Sequence, residues 1–255
     1  MRCCFITLGC RVNQYESDAM AELLTQAGFE ITENPAEADV CIVNTCTVTN
    51  IADRKSRQML SKAHKLNPNA KLIAAGCFAQ RSPEAAAKLE GVYAVLGSAD
   101  KNRVVELVKS IAEGRENEPK SEKRNCEEKE LCDCCDGMKK FEQPENSECS
   151  GNAAGGAKIL VRDVMHEHEF EEMSAVHEGR TRAYLKIQDG CNMFCTYCAI
   201  PYARGGLRSR SIESVRAEAE KLNDEGFSEV VLTGIHLMSY GRDLRSGTDI
   251  RDAVS

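Results

Sequence analysis

The sequence has no tryptophan, and aromatic residues make up only 5% of its 255 positions. It also lacks any run approaching the ~18 consecutive apolar residues of a membrane-spanning helix, so no membrane segment is expected. The amino terminus has no basic start followed by an apolar stretch, which argues against secretion and for a cytoplasmic protein. A disulfide framework is therefore the wrong expectation. The net charge of −7 excludes a global electrostatic attraction to nucleic acid.

Cysteine, in contrast, is abundant. Fourteen cysteines are present, and 42% hydrophobic residues are enough to form a buried core. In a reducing cytosol that many thiols favours metal or redox chemistry. Residues 115–150 are acidic and contain too few large apolar residues to offset the entropy of ordering them, so we expect a disordered linker or insertion over 115–157. Five cysteines fall in this segment: Cys126, Cys132, Cys134, Cys135 and Cys149.

Residues 1–114 alternate predicted strands with predicted helices. Short apolar runs bounded by turn residues are typical of buried parallel strands, and they occur at 3–8, 40–44, 71–75 and 94–97. Apolar residues recur at helical spacing between these runs. We therefore predict a small doubly wound α/β domain over 1–114. Cys3, Cys4 and Cys41 lie in its strands, where free cysteine behaves as a small buried hydrophobe.

A second strand–helix pattern follows the acidic segment, and we assign residues 158–255 to a second domain. Residues 183–187 and 229–233 are predicted strands, and a helical apolar stripe between them ends at Gly226. Two strands cannot bury both faces of a parallel sheet. The second domain is therefore expected to be only the beginning of a β/α array.

The most specific motif is a CxxxCxxC run just past the first of these strands, formed by Cys191, Cys195 and Cys198 (the loop cysteines). Three thiolates on one tight loop suit a four-iron cluster whose fourth iron stays open to a small molecule. A closed structural zinc site normally has four protein ligands, so it would also need Cys3, Cys4 or a histidine. That zinc site is the alternative interpretation.

A second group of three cysteines emerges when the chain is placed on the predicted sheet. Cys10, Cys46 and Cys77 (the edge cysteines) each lie two residues past a predicted strand. Because neighbouring strands lie ~4.8 Å apart, these loops can bring three thiols to the carboxyl edge, where open α/β sheets bind ligands. Gly9 and Gly76 directly precede two of them and allow close backbone approach. We favour a second three-cysteine cluster, with three unrelated loop cysteines as the alternative.

These motifs resemble those of the methylthiotransferases of the radical S-adenosylmethionine superfamily. The resembling segments are residues 7–14, 44–48, 75–77 and 186–201. The Gly-Cys-Arg-Val-Asn-Gln form at 9–14, together with 233–236 and 239–241, most resembles the branch that acts on N6-threonylcarbamoyladenosine at position 37 of tRNA. Branches that modify isopentenylated adenosine or a ribosomal protein are alternatives within the same class.

The resemblance implies an enzyme with two 4Fe–4S clusters and S-adenosyl-L-methionine as cofactors. The loop cysteines would hold the cluster at which the cofactor is cleaved to a 5′-deoxyadenosyl radical, and the edge cysteines would hold the cluster that supplies sulfur. The resemblance also implies that the second domain is the beginning of a partial (β/α) barrel. Implied partners are an anticodon-loop adenosine of tRNA and an electron donor such as a flavodoxin or ferredoxin, with no membrane or DNA.

Five further residues are expected at the cofactor or the substrate. By resemblance, Tyr197 contacts the adenine of the cofactor, with packing around the cluster as the alternative. Arg208 or Arg210 could clamp a carboxylate or phosphate of the cofactor or the tRNA backbone, with a solvated basic face as the alternative. Thr233 and Gly234 end the second strand, where the family places cofactor contacts, with an ordinary βα turn as the alternative.

The length of the chain departs from the pattern that the resemblance implies. Only 57 residues follow Cys198, whereas the family's radical domain continues further and is usually followed by a small RNA-binding β-barrel. We therefore expect the chain to correspond to the amino-terminal part of such an enzyme. A non-catalytic iron–sulfur or metal-binding protein is the alternative from another class.

Overall fold

The computed structural model describes residues 1–114, 156–175, 181–244 and 246–254. The predicted linker, with its five cysteines, lies outside the described residues up to position 155. No helix within the described ranges is long and apolar enough to cross a membrane.

A six-stranded sheet, parallel at every pairing, forms the centre of the first domain, with strand order β2-β1-β3-β4-β5-β6. The strands are β1 Arg2–Thr7, β2 Glu30–Ile31, β3 Val40–Thr45, β4 Lys71–Gly76, β5 Val92–Leu96 and β6 Lys158–Leu160. The four predicted strands correspond to β1, β3, β4 and β5. The two residues of β2 are exposed and too few to show a hydrophobic period, so the sequence did not predict this strand.

The sixth strand comes from the far side of the linker. Lys158 pairs with Ala94, and the carbonyl of Leu160 accepts a hydrogen bond from the amide of Gly97 at 3.0 Å. The predicted domain boundary at residue 158 thus separates this strand from the sheet to which it pairs. Only Ile159 of β6 is buried, which explains why the sequence pattern did not reveal the strand.

Helices cover both faces of the sheet, which confirms the predicted doubly wound arrangement. Their bounds are α1 Arg11–Gln26, α2 Asn50–Leu66, α3 Cys77–Arg81, α4 Pro83–Ala87 and α5 Val104–Ala112. Leu24 of α1 and Val108 of α5 pack on one face, whereas Leu60 of α2 packs on the other. Ile42 and Val43 are both fully buried because successive strand residues point to opposite covered faces.

The second domain contains one parallel strand pair and the helix that connects its strands. Its elements are β7 Ala183–Lys186, β8 Gln188–Asp189, α6 Ile200–Arg204, β9 Arg208–Ser209, α7 Ile212–Asp224 and β10 Val230–Thr233. β7 pairs in parallel with β10, and β8 forms a short antiparallel ribbon with β9. Leu185, Val215 and Tyr240 form the centre of its core. The predicted beginning of a β/α array is therefore present.

The two domains pack directly on one another through buried polar contacts. The Tyr15 hydroxyl on α1 donates to the carbonyl of Met173 and, at 3.1 Å, to the carboxylate of Glu218 on α7. The Ser98 hydroxyl, just past β5, donates to the carbonyl of Ala203 on α6. α6 therefore lies against the first domain, close to the carboxyl ends of its strands.

Candidate functional site

The edge cysteines lie at the carboxyl ends of β1, β3 and β4. Cys46 directly follows β3, Cys77 directly follows β4, and Cys10 precedes the first residue of α1. The sulfur atoms of Cys10 and Cys77 lie 3.9 and 4.0 Å from one oxygen, Oδ1 of Asn13. A Cβ atom added to Gly9 would lie 2.7 Å from the sulfur of Cys46. The structure thus brings Cys10 and Cys77 to one side chain and places Cys46 against Gly9, the residue before Cys10.

Asn13 also fixes the backbone around these cysteines. Its side-chain amide donates to the carbonyl of Leu8 at 2.8 Å and to the carbonyl of Thr45 at 2.9 Å, joining the turns after β1 and β3. The main-chain carbonyl of Asn13 accepts a hydrogen bond from the side-chain amide of Asn44 at 2.9 Å. A buried side chain with this many partners holds the edge cysteines in one arrangement.

Cys77 is the most deeply buried edge cysteine, at 1% exposure. Gly76 precedes it with φ of 87°, and a Cβ atom there would lie 2.3 Å from the Oδ1 atom of Asn44, so only glycine fits this turn. Burial raises the pKa of the Cys77 thiol to about 11, and the guanidinium of Arg204 is the largest opposing influence. Without a bound metal, the Cys77 thiol is therefore protonated at neutral pH.

Five charged side chains, which we call the buried charge cluster, lie between the domains beside the edge cysteines. They are Glu16, Lys101, Lys186, Asp189 and Arg204, and all are buried. The Glu16 carboxylate lies 2.7 Å from Lys186, 2.8 Å from Arg204 and 3.2 Å from Lys101. The Asp189 carboxylate lies 2.6 Å from Lys186 and 3.0 Å from Arg204. The cluster therefore joins α1, β7, β8 and α6.

The cations keep both carboxylates ionised. Burial by itself would raise the pKa of Glu16, but Arg204, Lys101 and Lys186 hold it well below its ordinary value. The pKa of Asp189 is likewise lowered, against the effect of burial, chiefly by Arg204 and Lys186. The two domains are thus connected by fully formed ion pairs in a water-poor environment.

Arg204 links the buried charge cluster to both cysteine groups. Its Nη2 atom donates at 2.6 Å to Oδ1 of Asn13, the oxygen that the Cys10 and Cys77 sulfurs approach. The next residue, Gly205, accepts a hydrogen bond at its carbonyl from the amide of Cys191 at 3.1 Å. A side chain from the second domain therefore contacts Asn13, whose Oδ1 the sulfurs of Cys10 and Cys77 approach.

The loop cysteines lie between β8 and α6 on the surface of the second domain. Cys195 is exposed, and Cys191 and Cys198 are partly exposed. The turn is closed by the amide of Cys198, which donates to the carbonyl of Cys195 at 2.9 Å. Phe194 has φ of 44°, a left-handed conformation that is a genuine outlier for a bulky residue. Such backbone strain clusters at ligand sites.

The donor sets fit iron–sulfur clusters better than single metal ions. Within the described ranges, no three Cys, His, Asp or Glu side chains are arranged to hold one metal ion. Cys3 and Cys4, two of the residues that could complete a zinc site, are buried in the core at 0% and 1% exposure. A polynuclear cluster spreads its thiolates further apart than a single ion does, and each set supplies three thiols.

Two family models match the chain, the Radical SAM superfamily over residues 185–244 and Uncharacterized protein family UPF0004 over residues 2–97. The threonylcarbamoyladenosine tRNA methylthiotransferase MtaB of Bacillus subtilis (strain 168) is 38% identical over 242 residues, which cover 94% of this chain and 45% of that protein. The chain belongs to the radical S-adenosylmethionine methylthiotransferase family. This membership confirms the resemblance seen in the motifs.

A second relative within the methylthiotransferase family has another named substrate. The ribosomal protein uS12 methylthiotransferase RimO of Chloroflexus aurantiacus (strain ATCC 29366 / DSM 635 / J-10-fl) is 32% identical over 94% of this chain and 47% of that protein. The chain thus spans about half the length of the curated relatives it matches.

Among solved structures, the radical S-adenosylmethionine methyltransferase TsrM from Kitasatospora setae, with tryptophan substrate and a SAM analog bound, matches with a TM-score of 0.55. It is 17% identical and covers 92% of this chain and 48% of that chain. At this identity the likeness concerns the fold alone. It supports the predicted α/β domain followed by the beginning of the radical S-adenosylmethionine barrel.

Arg208 and Arg210, the two arginines predicted to clamp a carboxylate or phosphate, have different surroundings in the structure of this methylthiotransferase-family chain. Arg208 is buried, donates from Nη2 to the carbonyl of Arg204 at 2.8 Å, and its Nη1 has no hydrogen-bond partner within the described part of the chain. Arg210 forms an ion pair with Glu218 and lies 3.1 Å from Glu172. The guanidinium of Arg208 therefore has a free donor, whereas that of Arg210 is engaged at the domain boundary.

The other predicted cofactor contacts lie on the loop and on β10. Tyr197 is 90% exposed within the cysteine loop. Thr233 is buried and pairs with Lys186 at the carboxyl ends of β10 and β7. A Cβ atom added to Gly234 would lie 2.9 Å from Oε1 of Gln188, so the chain passes close to this side chain. Thr233 and Gly234 thus lie next to the buried charge cluster and the start of the cysteine loop.

A shallow cavity of about 240 Å³ adjoins the edge cysteines. Cys10, Arg11 and Gln14 line one side, and Tyr184 of the second domain lines the other. The guanidinium carbon of Arg11 lies 5.8 Å from the centroid of the Tyr184 ring. The cavity therefore presents a cation and an aromatic ring beside a proposed sulfur-bearing site.

Sequence reasoning missed the buried charge cluster. A signal for Glu16 was present, because it lies four residues after Val12 and four before Met20, on the apolar face of α1. Lys186 is the last residue of β7 and its one charged residue. Arg204 gave no comparable signal, because the short helix α6 has no sustained apolar period.

Proposed function

We propose that this chain is the amino-terminal part of an enzyme that installs a 2-methylthio group on N6-threonylcarbamoyladenosine at position 37 of tRNA. The observation that carries the proposal is the pair of three-thiol sets, one on each domain, with Arg204 bonded to Asn13 beside one set and Gly205 bonded to Cys191 of the other. When bound, two 4Fe–4S clusters and S-adenosyl-L-methionine supply the one-electron chemistry, the sulfur and the methyl group. The protein binds and positions these groups and excludes water.

In this proposal the loop cysteines hold the cofactor-cleaving cluster, and three protein ligands leave one coordination position for S-adenosyl-L-methionine. The free Nη1 donor of Arg208 would bind the cofactor's carboxylate. Tyr197 would contact the adenine, and Thr233 and Gly234 would line the cofactor at the ends of the strands. Exposure of Cys195 fits electron delivery by a small carrier such as a flavodoxin or ferredoxin.

The cavity beside Cys10 supports the choice of nucleoside. A threonylcarbamoyl group carries a carboxylate, which a guanidinium such as that of Arg11 can bind through two hydrogen bonds. The Tyr184 ring lies beside this guanidinium at 5.8 Å, and an aromatic side chain at the cavity can contact a base. The MtaB relative acts, by its name, on threonylcarbamoyladenosine in tRNA. A cytoplasmic location follows from the proposed substrate.

A second candidate is methylthiolation of a ribosomal protein, which the 32% identity to a RimO protein favours. A protein substrate would have no purine to contact Tyr184. The two candidates therefore differ in the group that the cavity must accept.

Mass spectrometry of tRNA nucleosides from a strain lacking the gene tests the proposal. We expect the 2-methylthio derivative of threonylcarbamoyladenosine to disappear and its unmethylthiolated precursor to accumulate. The wild-type gene should restore the modification, and the Cys46→Ala gene should not. Unchanged methylthiolation would refute the assignment. Loss of methylthiolated isopentenyladenosine, or of the modification on the ribosomal protein, would favour the corresponding alternative.

A further inference from the structure

The buried charge cluster contains more cations than carboxylates. Among the residues that the structure describes, Lys101, Lys186 and Arg204, whose side chains are 0–3% exposed, form ion pairs with Glu16 and Asp189 alone. The guanidinium of Arg208, 6% exposed and 3.8 Å from Asp189, adds a further buried cation at the margin. An uncompensated buried cation is strongly destabilising. The excess indicates that a negatively charged group completes the cluster.

The position of Arg204 shows where that group lies. Its Nη2 atom donates to the Asn13 oxygen that lies 3.9 and 4.0 Å from the sulfurs of Cys10 and Cys77. Its Nε donor is buried and has no hydrogen-bond partner among the residues the structure describes. The excess positive charge is therefore directed to the edge cysteines rather than to solvent.

We propose that Arg204 and the buried charge cluster raise the reduction potential of an iron–sulfur cluster held by the edge cysteines. This inference rests on the proposed function, because it requires that cluster. Three thiolates outweigh the positive charge of an oxidised iron–sulfur core, so the bound group is an anion. One-electron reduction by an external carrier makes it more negative. A fixed cation in a low-dielectric environment therefore stabilises the reduced form more than the oxidised form.

The reduction step leaves the cysteine ligation unchanged. Cys10, Cys46 and Cys77 would hold the group, which would accept one electron from the external carrier without loss of a cysteine ligand and without transfer of a proton. Arg204 acts here as a positioning residue, through charge and through Asn13, and makes no bond to iron. Glu16 contacts Arg204 at 2.8 Å, so the positive and the negative charge of this pair can be removed separately. The two variants should shift the reduction potential in opposite directions.

The midpoint potential of the edge cluster is the measurement that tests this proposal. Full-length enzyme carrying Cys191→Ala, Cys195→Ala and Cys198→Ala leaves only the edge cluster visible in a dithionite titration followed by electron paramagnetic resonance. In that background, Arg204→Gln should lower the equilibrium constant for reduction about tenfold, a shift of about 59 mV to lower potential. Arg204→Lys keeps the charge and should stay closer to the parent.

Two further variants complete the test. Glu16→Gln removes a negative charge and should move the potential upward, opposite to Arg204→Gln. Arg216→Gln changes an exposed arginine on α7 and should leave the potential unchanged.

Equal potentials in the parent and Arg204→Gln, or a shift of the same sign in Arg204→Gln and Glu16→Gln, would overturn the proposal. If Arg204→Gln does not fold, a downward or absent shift in Glu16→Gln overturns it and an upward shift supports it. A parent that binds no iron at the edge cysteines would instead refute the proposed function. The iron content of the parent thus separates the two failures.

Discussion

The edge cysteines and the loop cysteines offer the same number of thiols, but the protein assembles them in opposite ways. The loop cysteines come from eight consecutive residues, Cys191–Cys198, on one partly exposed turn. The edge cysteines lie 36 and 31 residues apart and meet only because three parallel strands end side by side. One set is therefore organised by local backbone geometry, and the other by the whole first domain.

The surroundings of the two sets differ as much as their origins. Cys46 and Cys77 are 4% and 1% exposed and lie beside the buried charge cluster, whereas Cys195 is open to solvent. An exposed set can accept a small molecule and an electron from outside. Of the edge cysteines, Cys46 and Cys77 are buried next to fixed charges, whereas Cys10 is exposed at the cavity. Buried fixed charges of this kind can tune a bound metal group. The comparison leads us to expect different tasks for two similar donor sets.

The largest expected effect separates the two cysteine sets directly. The reconstituted full-length enzyme should bind about eight irons if both sites hold four-iron clusters, and Cys195→Ala should lose about half of them. Cofactor cleavage, measured as 5′-deoxyadenosine, should be abolished in Cys195→Ala because its cluster is missing. Cys41→Ala changes a buried strand cysteine and should retain both clusters. Unchanged iron in Cys195→Ala would show that the ligand assignment is wrong.

The next effect concerns the ion pairs that join the domains. Glu16→Ala should destabilise the protein by about 3–5 kcal/mol, because it leaves buried cations without their carboxylate. Arg182 forms an exposed pair with Glu229 at 2.7 Å, so Arg182→Ala should change stability by less than about 1 kcal/mol. Urea unfolding of both variants measures the difference. Equal destabilisation would contradict the view that the boundary is held by buried charge.

Acid should weaken the same ion pairs. The folded-state pKa values of Glu16 and Asp189 lie below their ordinary values, so the unfolded chain binds more protons as pH falls below about 4. The stabilisation is therefore complete above the ordinary pKa values and is lost as pH falls through the folded-state values. Between pH 6 and 3, wild type should lose on the order of 2 kcal/mol more than Glu16→Gln. Parallel unfolding curves at each pH check this, and identical pH slopes would contradict it.

The smallest effect on stability is expected on the exposed loop. Tyr197 is 90% exposed, so Tyr197→Ala should change the free energy of unfolding by less than about 0.5 kcal/mol. If the side chain contacts the adenine, the variant should bind S-adenosyl-L-methionine more weakly, and equilibrium binding to the reconstituted enzyme measures this. Tyr197→Phe keeps the ring and should bind nearly as well as wild type. Equal affinity in wild type and Tyr197→Ala would exclude the contact.

Much of the fold could be predicted because it rests on local patterns. Strands such as β3 are continuous apolar runs, and helices such as α2 have apolar residues at helical spacing. The position of each edge cysteine just past a strand also followed from the prediction of that strand. The short strands β2 and β6 could not be predicted, because two or three residues show no period and their identity depends on the strand beside them.

The engagement of Arg210 shows a second limit of sequence reasoning. The sequence offered Arg210 as a residue that could clamp a carboxylate or phosphate, but Glu218 and Glu172 occupy its guanidinium. Charge along the chain does not reveal which charges meet in space. Arg208, two residues away, retains a buried donor without a partner among the described residues. Only the tertiary structure, which brings Glu218 of α7 and Glu172 to Arg210, distinguishes the two arginines.

The sequence by itself determined the features that depend on neighbouring residues: the loop cysteines on one turn, the buried strands and the helices between them. The tertiary structure decided that Cys10 and Cys77 approach Asn13 and that a charge cluster lies beside them. Glu16 and Arg204, 188 residues apart, form a buried ion pair that no local period encodes. The two packed domains bring these charges together and exclude water from both. In that environment either charge would be too costly without its partner.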